Sequence, residues 1–507
     1  MLRLSGRVLL AFSLYCGMEA LAQPPLSRIN PAVKQIVDQV SEERIGAIMK
    51  KLEGFGTRYI GSEQDSDTHG IGAAQRWIEA EFKSYSPKLQ VSLDKFQVKK
   101  GARVPKDVEL ANIVAVLPGT VDKDRYVIIG GHYDSIALRR TAGQAAQASD
   151  NAGSAADQES IAPGVADDAS GTAAVMELAR VMSQFEFEKS IIFITFAAEE
   201  IGLNGSHNYA QEAKEKNMQI EAMLNNDIIG SDVSGDGRSA NNHLRVFSEG
   251  PEDSGSRSLA RYTKEIAERY MPSMTVDLVF RRDRFGRGGD HTSFNREGFT
   301  AIRLTTPSEN YANQHTSTDT FANASVPYTT RAAKMNAAVL ASLALAPKPP
   351  VVSRPRPAGQ QGQGGRQGGA AAQTAQAGQT AAGGQATPGG QAGGQPRQGR
   401  GPGGPGLSRG PSGYDAALRW TNPTPEPDIA GYAVVIRSTT SPMWEREIYV
   451  GNVTEYTLPN LSIDDVVIGV KAIDKDGNQS LVSAYEQAPI NAGQTPAAAT
   501  TPVTPRQ

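Results

Sequence analysis

Cysteine is nearly missing from this chain: 507 residues contain one, Cys16. It lies within a short apolar stretch near the N-terminus, so a mature chain lacking that stretch has no thiol. Disulfide scaffolds, thiolate metal sites and cysteine nucleophiles are thereby excluded. An excess of positive charge is missing too. Lysine plus arginine is 51 against 54 for aspartate plus glutamate, a net charge of −3. Nucleic-acid binders draw affinity from a basic surface that neutralises phosphates, so that class is excluded as well. No apolar run reaches the ~20 residues needed to cross a bilayer, which argues against an integral membrane protein. With 39% apolar and 21% charged residues, most of the chain can still fold round a core. Its length corresponds to two or three domains at ~150 residues each.

What is present is unevenly spread. Glycine (52) and proline (30) make up about 16% of the chain, above the usual ~12%. From Ala358 to Gly406 only Gly, Gln, Ala, Pro, Thr and Arg occur. Such a composition cannot bury enough apolar surface to offset its ordering entropy. Residues 347–412 therefore read as a flexible linker, and 490–507 as a disordered tail. Residues 1–22 read as a signal peptide: Arg3 and Arg7, then an apolar run from Val8 to Cys16, then Ala20-Leu21-Ala22 before Gln23. An exported protein, periplasmic or extracellular, is expected. Two folded regions remain, 23–346 and 413–489.

The larger region alternates helix and strand. Helical apolar spacing covers 31–52, 71–85, 172–185, 206–216, 256–271 and 328–345. Short apolar runs at 126–129, 190–197, 222–229, 244–247 and 301–305 read as strands. This alternation predicts an α/β fold with a mixed, mostly parallel central sheet flanked by helices. The smaller region shows short alternating strands round Trp420, Tyr432 and Val466 to Ala472. They predict an all-β sandwich of seven strands.

Parallel sheets place ligands beyond the carboxyl ends of their strands. After the first such strand come His132 and Asp134; before the 172–185 helix come Asp167 and Asp168. After the next strands come Glu199-Glu200 and then Asp227, and His315 lies far downstream with Asp319 four residues on. A Glu-Glu pair is usually a solvated helix start, because negative charge is favoured near a helix N-terminus. Here the pair follows a buried run from Ile191 to Phe196, and unpaired buried charge is expensive. Two imidazoles and several carboxylates without a thiol are the ligand set of a hydrolytic zinc site. Asp319 is expected to hold the His315 ring.

The motifs GGHYDS at Gly130, GVADDASG at Gly164, FAAEEIGLNGS at Phe196, LNNDIIG at Leu224 and NQHTSTD at Asn313 resemble those of the M28 metallopeptidases. That family includes secreted bacterial aminopeptidases, and the likeness runs from about Ser41 to Ala344. The resemblance implies two zinc ions per catalytic domain. His132 and Asp227 would hold one, Glu200 and His315 the other, and Asp167 would bridge them. Glu199 would be the general base and Asp134 would orient His132. A cis peptide between Asp167 and Asp168 is implied as well. Asp290-His291 reads as a structural pair in the pocket wall. Some relatives carry a tyrosine as oxyanion donor where this chain has Gly286 or Gln314, and Tyr311 is unmatched, so the donor is not assigned. The smaller region resembles a fibronectin type III module without its corner tyrosine. Its role stays open between a passive folding unit and attachment to a surface or polymer.

The function these features imply is a secreted zinc aminopeptidase acting on peptides or proteins. A carboxypeptidase or dipeptidase on the same fold is the alternative of the same class. A non-catalytic binding protein on a peptidase fold is the alternative of another class, and it predicts lost ligand positions.

Overall fold

The computed structural model describes residues 29–101, 103–138, 156–157, 160–282, 288–352, 408–409, 415–423 and 426–485. The expected signal peptide, most of the expected linker and the expected tail lie outside these residues. The apolar runs form the centre of one eight-stranded sheet. Its strands are β1 (Gln90–Val98), β2 (Val108–Leu117), β3 (Asp122–His132), β4 (Lys189–Phe196), β5 (Gln219–Asn226), β6 (His243–Ser248), β7 (Thr275–Val279) and β8 (Ala301–Thr305). The spatial order is β1-β2-β4-β3-β5-β8-β6-β7. The central pairs β4–β3, β3–β5 and β5–β8 are parallel, as is β6–β7. The pairs β1–β2, β2–β4 and β6–β8 are antiparallel. The expected mixed sheet with a parallel centre is what forms.

Helices cover the sheet because their apolar faces need burial. They are α1 (Pro31–Gln39), α2 (Glu42–Glu53), α3 (Gly70–Tyr85), α4 (Ser170–Met182), α5 (Asn204–Glu215), α6 (Gly255–Tyr270), α7 (His291–Arg296) and α8 (Val326–Leu345). All of α4 except Arg180 is buried, as expected of a helix apolar on nearly every side. The first and second helices start where Asn30 and Ser41 accept backbone N–H groups of Ala32 and Arg44. Every expected element forms. The β1–β2 hairpin, β7 and the six-residue α7 were not anticipated from the sequence.

The C-terminal region holds two four-stranded sheets among the described residues. One contains β9 (Val351–Val352), β10 (Ser408–Arg409), β11 (Ala416–Thr421) and β14 (Glu455–Leu458). The other runs β13 (Arg446–Gly451), β12 (Ile429–Ser438), β15 (Val466–Asp474), β16 (Ser483–Ala484). Trp420 is 2% exposed in their shared core, its ring 5.6 Å from that of Tyr432. Eight strands thus replace the expected seven, and the linker boundaries shift. Val351 and Val352 pair with Thr421 and Trp420, and Ser408 and Arg409 with Ala417 and Ala416. Two adjacent β-branched residues favour such a strand; the composition of the neighbouring segment masked them.

The two regions meet across α6. Arg437 on β12 is 0% exposed, and its Nη2 donates to Asp253 Oδ1 at 2.7 Å. Arg261 on α6 donates to the Pro442 carbonyl at 2.7 Å, and Ser258 to the Val482 carbonyl at 3.0 Å. Lys471 lies 2.9 Å from Glu447 and 3.5 Å from Glu265. Removing one partner of a buried pair leaves an uncompensated charge. Arg437→Ala should therefore cost about 3 kcal/mol, read as a lower midpoint in thermal or urea melts. Adding Asp253→Ala should recover part of the loss. A midpoint unchanged by Arg437→Ala would show that the contact contributes nothing.

Candidate metal centre

Three adjacent parallel strands deliver the chemistry. In their register His132 at the end of β3 stands opposite Phe196 at the end of β4. Beyond Phe196 the chain turns through Ala198, whose φ is 63°, into Glu199 and Glu200. On the other side β5 ends at Asn226 and leads to Asp227. Asp167 enters from the turn before α4, and the Asp167–Asp168 peptide is cis, as the family likeness implied. His315 comes from the connection between β8 and α8.

These residues converge. His132 Nε2 is 3.1 Å from Asp167 Oδ1. His315 Nε2 is 3.2 Å from Asp167 Oδ2 and 3.0 Å from Glu200 Oε2. Ligand atoms of His132, Asp167 and Glu200 all lie within 4.8 Å of one another. Asp227 lines the same cavity, as do Glu199 and His315. Asp227 Oδ1 accepts from Arg303 Nη2 at 3.0 Å, so one oxygen of this carboxylate is already directed to a guanidinium on β8.

The donor set fits a cation. Imidazole nitrogens and carboxylate oxygens are all electron-pair donors, and packing them together needs a shared positive charge. Glu200 Oε1 is buried without a hydrogen-bond partner among the described residues. Neutral imidazole and carboxylate without thiolate suit zinc.

The surroundings fix the donors. His132 Nδ1 lies 3.1 Å from the Asp134 carbonyl and 3.6 Å from its carboxylate. That carboxylate also accepts the N–H groups of Glu199 at 3.2 Å and Glu200 at 3.3 Å. Asp134 thus ties the β3 end to the Glu199-Glu200 turn. Asp168 accepts from the N–H groups of Gly171 (2.8 Å), His132 (3.2 Å) and Ile228 (3.2 Å). One carboxylate therefore caps α4 and joins the ends of β3 and β5. Gly131 is needed for this approach: a Cβ there would lie 2.8 Å from the Gly171 carbonyl carbon.

Asp319 corrects an expectation. Its carboxylate accepts from the N–H groups of Ala166 at 2.8 Å and Asp167 at 3.0 Å, so it braces the Asp167 turn, not the His315 ring. The spacing of four residues would set two side chains together only on a helix, and this connection is not helical. Burial pushes the Asp319 carboxyl up to about 7. Gln314, one of the two positions lacking the tyrosine, donates from Nε2 to Asp167 Oδ2 at 2.9 Å. Gly286 lies outside the described residues. Asp290 and His291 are both buried beside Gly289, where a Cβ would come within 2.6 Å of Asp227 Oδ2. His69 is exposed at the start of α3, and His243 pairs with Asp277 at 3.0 Å; neither joins the site.

Arg58 escaped the sequence reading. It is fully buried and donates to four backbone carbonyls: Tyr133 (2.6 Å), Leu52 (3.1 Å), Pro163 (2.5 Å) and Gly164 (2.8 Å). Two of these flank the turn to Asp167, and one lies between His132 and Asp134. Burial lowers its pKa to about 10, with Asp319, Asp134, Asp168 and Asp167 opposing the fall. It stays charged at neutral pH. Apolar flanks at Phe55, Tyr59 and Ile60 were the available hint.

Comparison with known proteins identifies the family. The family model described as peptidase family M28 matches residues 112–340. A probable zinc metalloprotease of Pyrenophora teres f. teres is 32% identical over 500 residues, covering 92% of this chain and 88% of that protein. One of Leptosphaeria maculans is 32% identical over 482 residues, covering 88% and 95%. Among solved structures, LapB from Legionella pneumophila is 20% identical with a TM-score of 0.48, covering 64% of this chain and 77% of that one. On the strength of the extended sequence identity, this chain belongs to peptidase family M28 and is a zinc metallopeptidase.

Proposed function

We propose that this metallopeptidase is a di-zinc exopeptidase, an aminopeptidase that removes N-terminal residues from peptides. The observation that carries the proposal is the convergence of His132, Asp167, Glu200 and His315 at contacts of 3.0 to 3.2 Å, beyond the carboxyl ends of parallel strands. His132 and Asp227 would hold one ion, Glu200 and His315 the second, with Asp167 shared between them. Zinc bound there supplies a Lewis acid and lowers the pKa of water. Glu199 accepts a proton from the attacking water and returns it to the leaving amine. Asp134 keeps the His132 ring in one orientation through its carbonyl and carboxylate. The cavity above these groups has a volume of about 670 Å³, within the usual range for a small-ligand site.

Export through residues 1–22 and a fibronectin type III-like role for the C-terminal sheets belong to the same reading. The composition of the N-terminus and the Trp420-centred core support them. The purified protein should contain two zinc ions per chain by elemental analysis. It should release the chromophore from an amino-acid p-nitroanilide, lose that activity with a chelator, and regain it with zinc. N-acetylation of the substrate should abolish cleavage. Equal rates on blocked and free substrates would sink the aminopeptidase assignment.

A further inference from the structure

The cavity is lined by charges of both signs: Asp167, Glu199, Glu200 and Asp227 at the strand ends, and Lys99, Arg103 and Arg296 from the β1–β2 connection and α7. Arg103 is fixed there, because its Nη1 donates to the Glu200 carbonyl at 2.9 Å and its own carbonyl accepts from Tyr59 Oη at 2.6 Å. This guanidinium is thus tethered to the backbone of a metal-site residue. Lys99 pairs with Asp107 at 2.9 Å, but both side chains are more than half exposed, and exposed pairs exchange partners at little cost. Arg296, on α7, is exposed.

Four carboxylates facing two divalent cations cancel in charge. Lys99, Arg103 and Arg296 then give the cavity a positive potential, and a cleft with low-dielectric walls concentrates that potential. Taken as roughly equant, 670 Å³ is about 9 Å across, the length of two to three extended residues at ~3.5 Å each. A peptide held with its scissile bond at the metal centre would reach these basic side chains within that distance.

We propose that Lys99, Arg103 and Arg296 form a subsite for a substrate carboxylate. This deepens the exopeptidase reading and rests on it. The carboxylate is either the free C-terminus of a di- or tripeptide or an acidic side chain following the scissile bond. Charge-assisted hydrogen bonds from guanidinium to carboxylate give such a site its selectivity.

Two substrate pairs separate the sources. Leu-Gly-Gly against Leu-Gly-Gly-amide changes only the terminal carboxylate, and Leu-Glu-Gly-amide against Leu-Gln-Gly-amide only the side chain. With the full-length zinc-loaded enzyme, kcat/KM should favour the carboxylate-bearing member of at least one pair by about tenfold or more. The ratio should fall towards one in Arg296→Gln and in Lys99→Gln, and with rising salt. Preference in the first pair assigns the C-terminus, in the second the acidic side chain. Cleavage of all four peptides without preference would overturn the subsite and leave the peptidase reading intact. A preference unchanged in both variants would overturn it as well. Failure to cleave any of them would overturn the exopeptidase reading along with the subsite.

Discussion

Glu199→Gln is expected to lower kcat by about 10²–10⁴-fold and to leave the zinc content unchanged. The side chain opens on the cavity beside Glu200, and its backbone N–H is held by Asp134 at 3.2 Å. Burial holds its carboxyl well above the usual carboxylate range, with His132 opposing and Asp227, Glu200 and Asp290 adding to the rise. A carboxylate at this position can take a proton and return it. An amide of the same shape does neither. KM should change little, because the amide keeps the size of the side chain and the proposed ligands are untouched. Turnover within tenfold of the parent, with two zinc ions still bound, would remove Glu199 from the proton-transfer role.

The second large effect is expected from a residue far from the reacting atoms. Arg58→Met should destabilise the protein by about 5 kcal/mol and weaken zinc retention. Methionine fills much of the volume but leaves the carbonyls of Leu52, Tyr133, Pro163 and Gly164 without their buried donor. It also removes the positive charge facing Asp319, Asp134, Asp168 and Asp167. Arg58→Lys keeps the charge but lacks the planar fork, so it should fall between the two. Urea denaturation with and without chelator measures both effects. A loss below 1 kcal/mol, with normal zinc affinity, would show that the turn to Asp167 is held by Asp319 alone.

How much could be read in advance follows from where the information lies. His132, Glu200 and Asp227 each come two or three residues after an apolar run, so strand and candidate ligand are legible together. The β1–β2 hairpin was not, because only Phe96 and Val98 of β1 are buried and its alternation changes phase at Asp94-Lys95. Its register comes from β2 lying against β4, a pairing between residues about 80 apart. Arg58 draws its partners from positions 52, 133, 163 and 164, and no local spacing encodes such a set. Asp319 was located in the right neighbourhood but given the wrong partner, since its carboxylate turns to the Ala166 and Asp167 N–H groups, which are about 150 residues away in sequence. Val351 and Val352 were hidden by the glycine-rich composition that follows them.

That last strand has a topological consequence. The chain leaves the C-terminal sheets at Val352, opposite Trp420, and returns at Ser408, opposite Ala417, on the same strand β11. Residues 353–407 therefore begin and end beside the same strand, and only residues 346–350 join α8 to these sheets. Changing the length of the 353–407 stretch cannot alter the reach from catalytic cleft to sandwich, and doubling it adds only about 0.6 kcal/mol of closure entropy. A protease that nicks this stretch would leave both fragments clasped together, and the enzyme would migrate as a single particle until denatured.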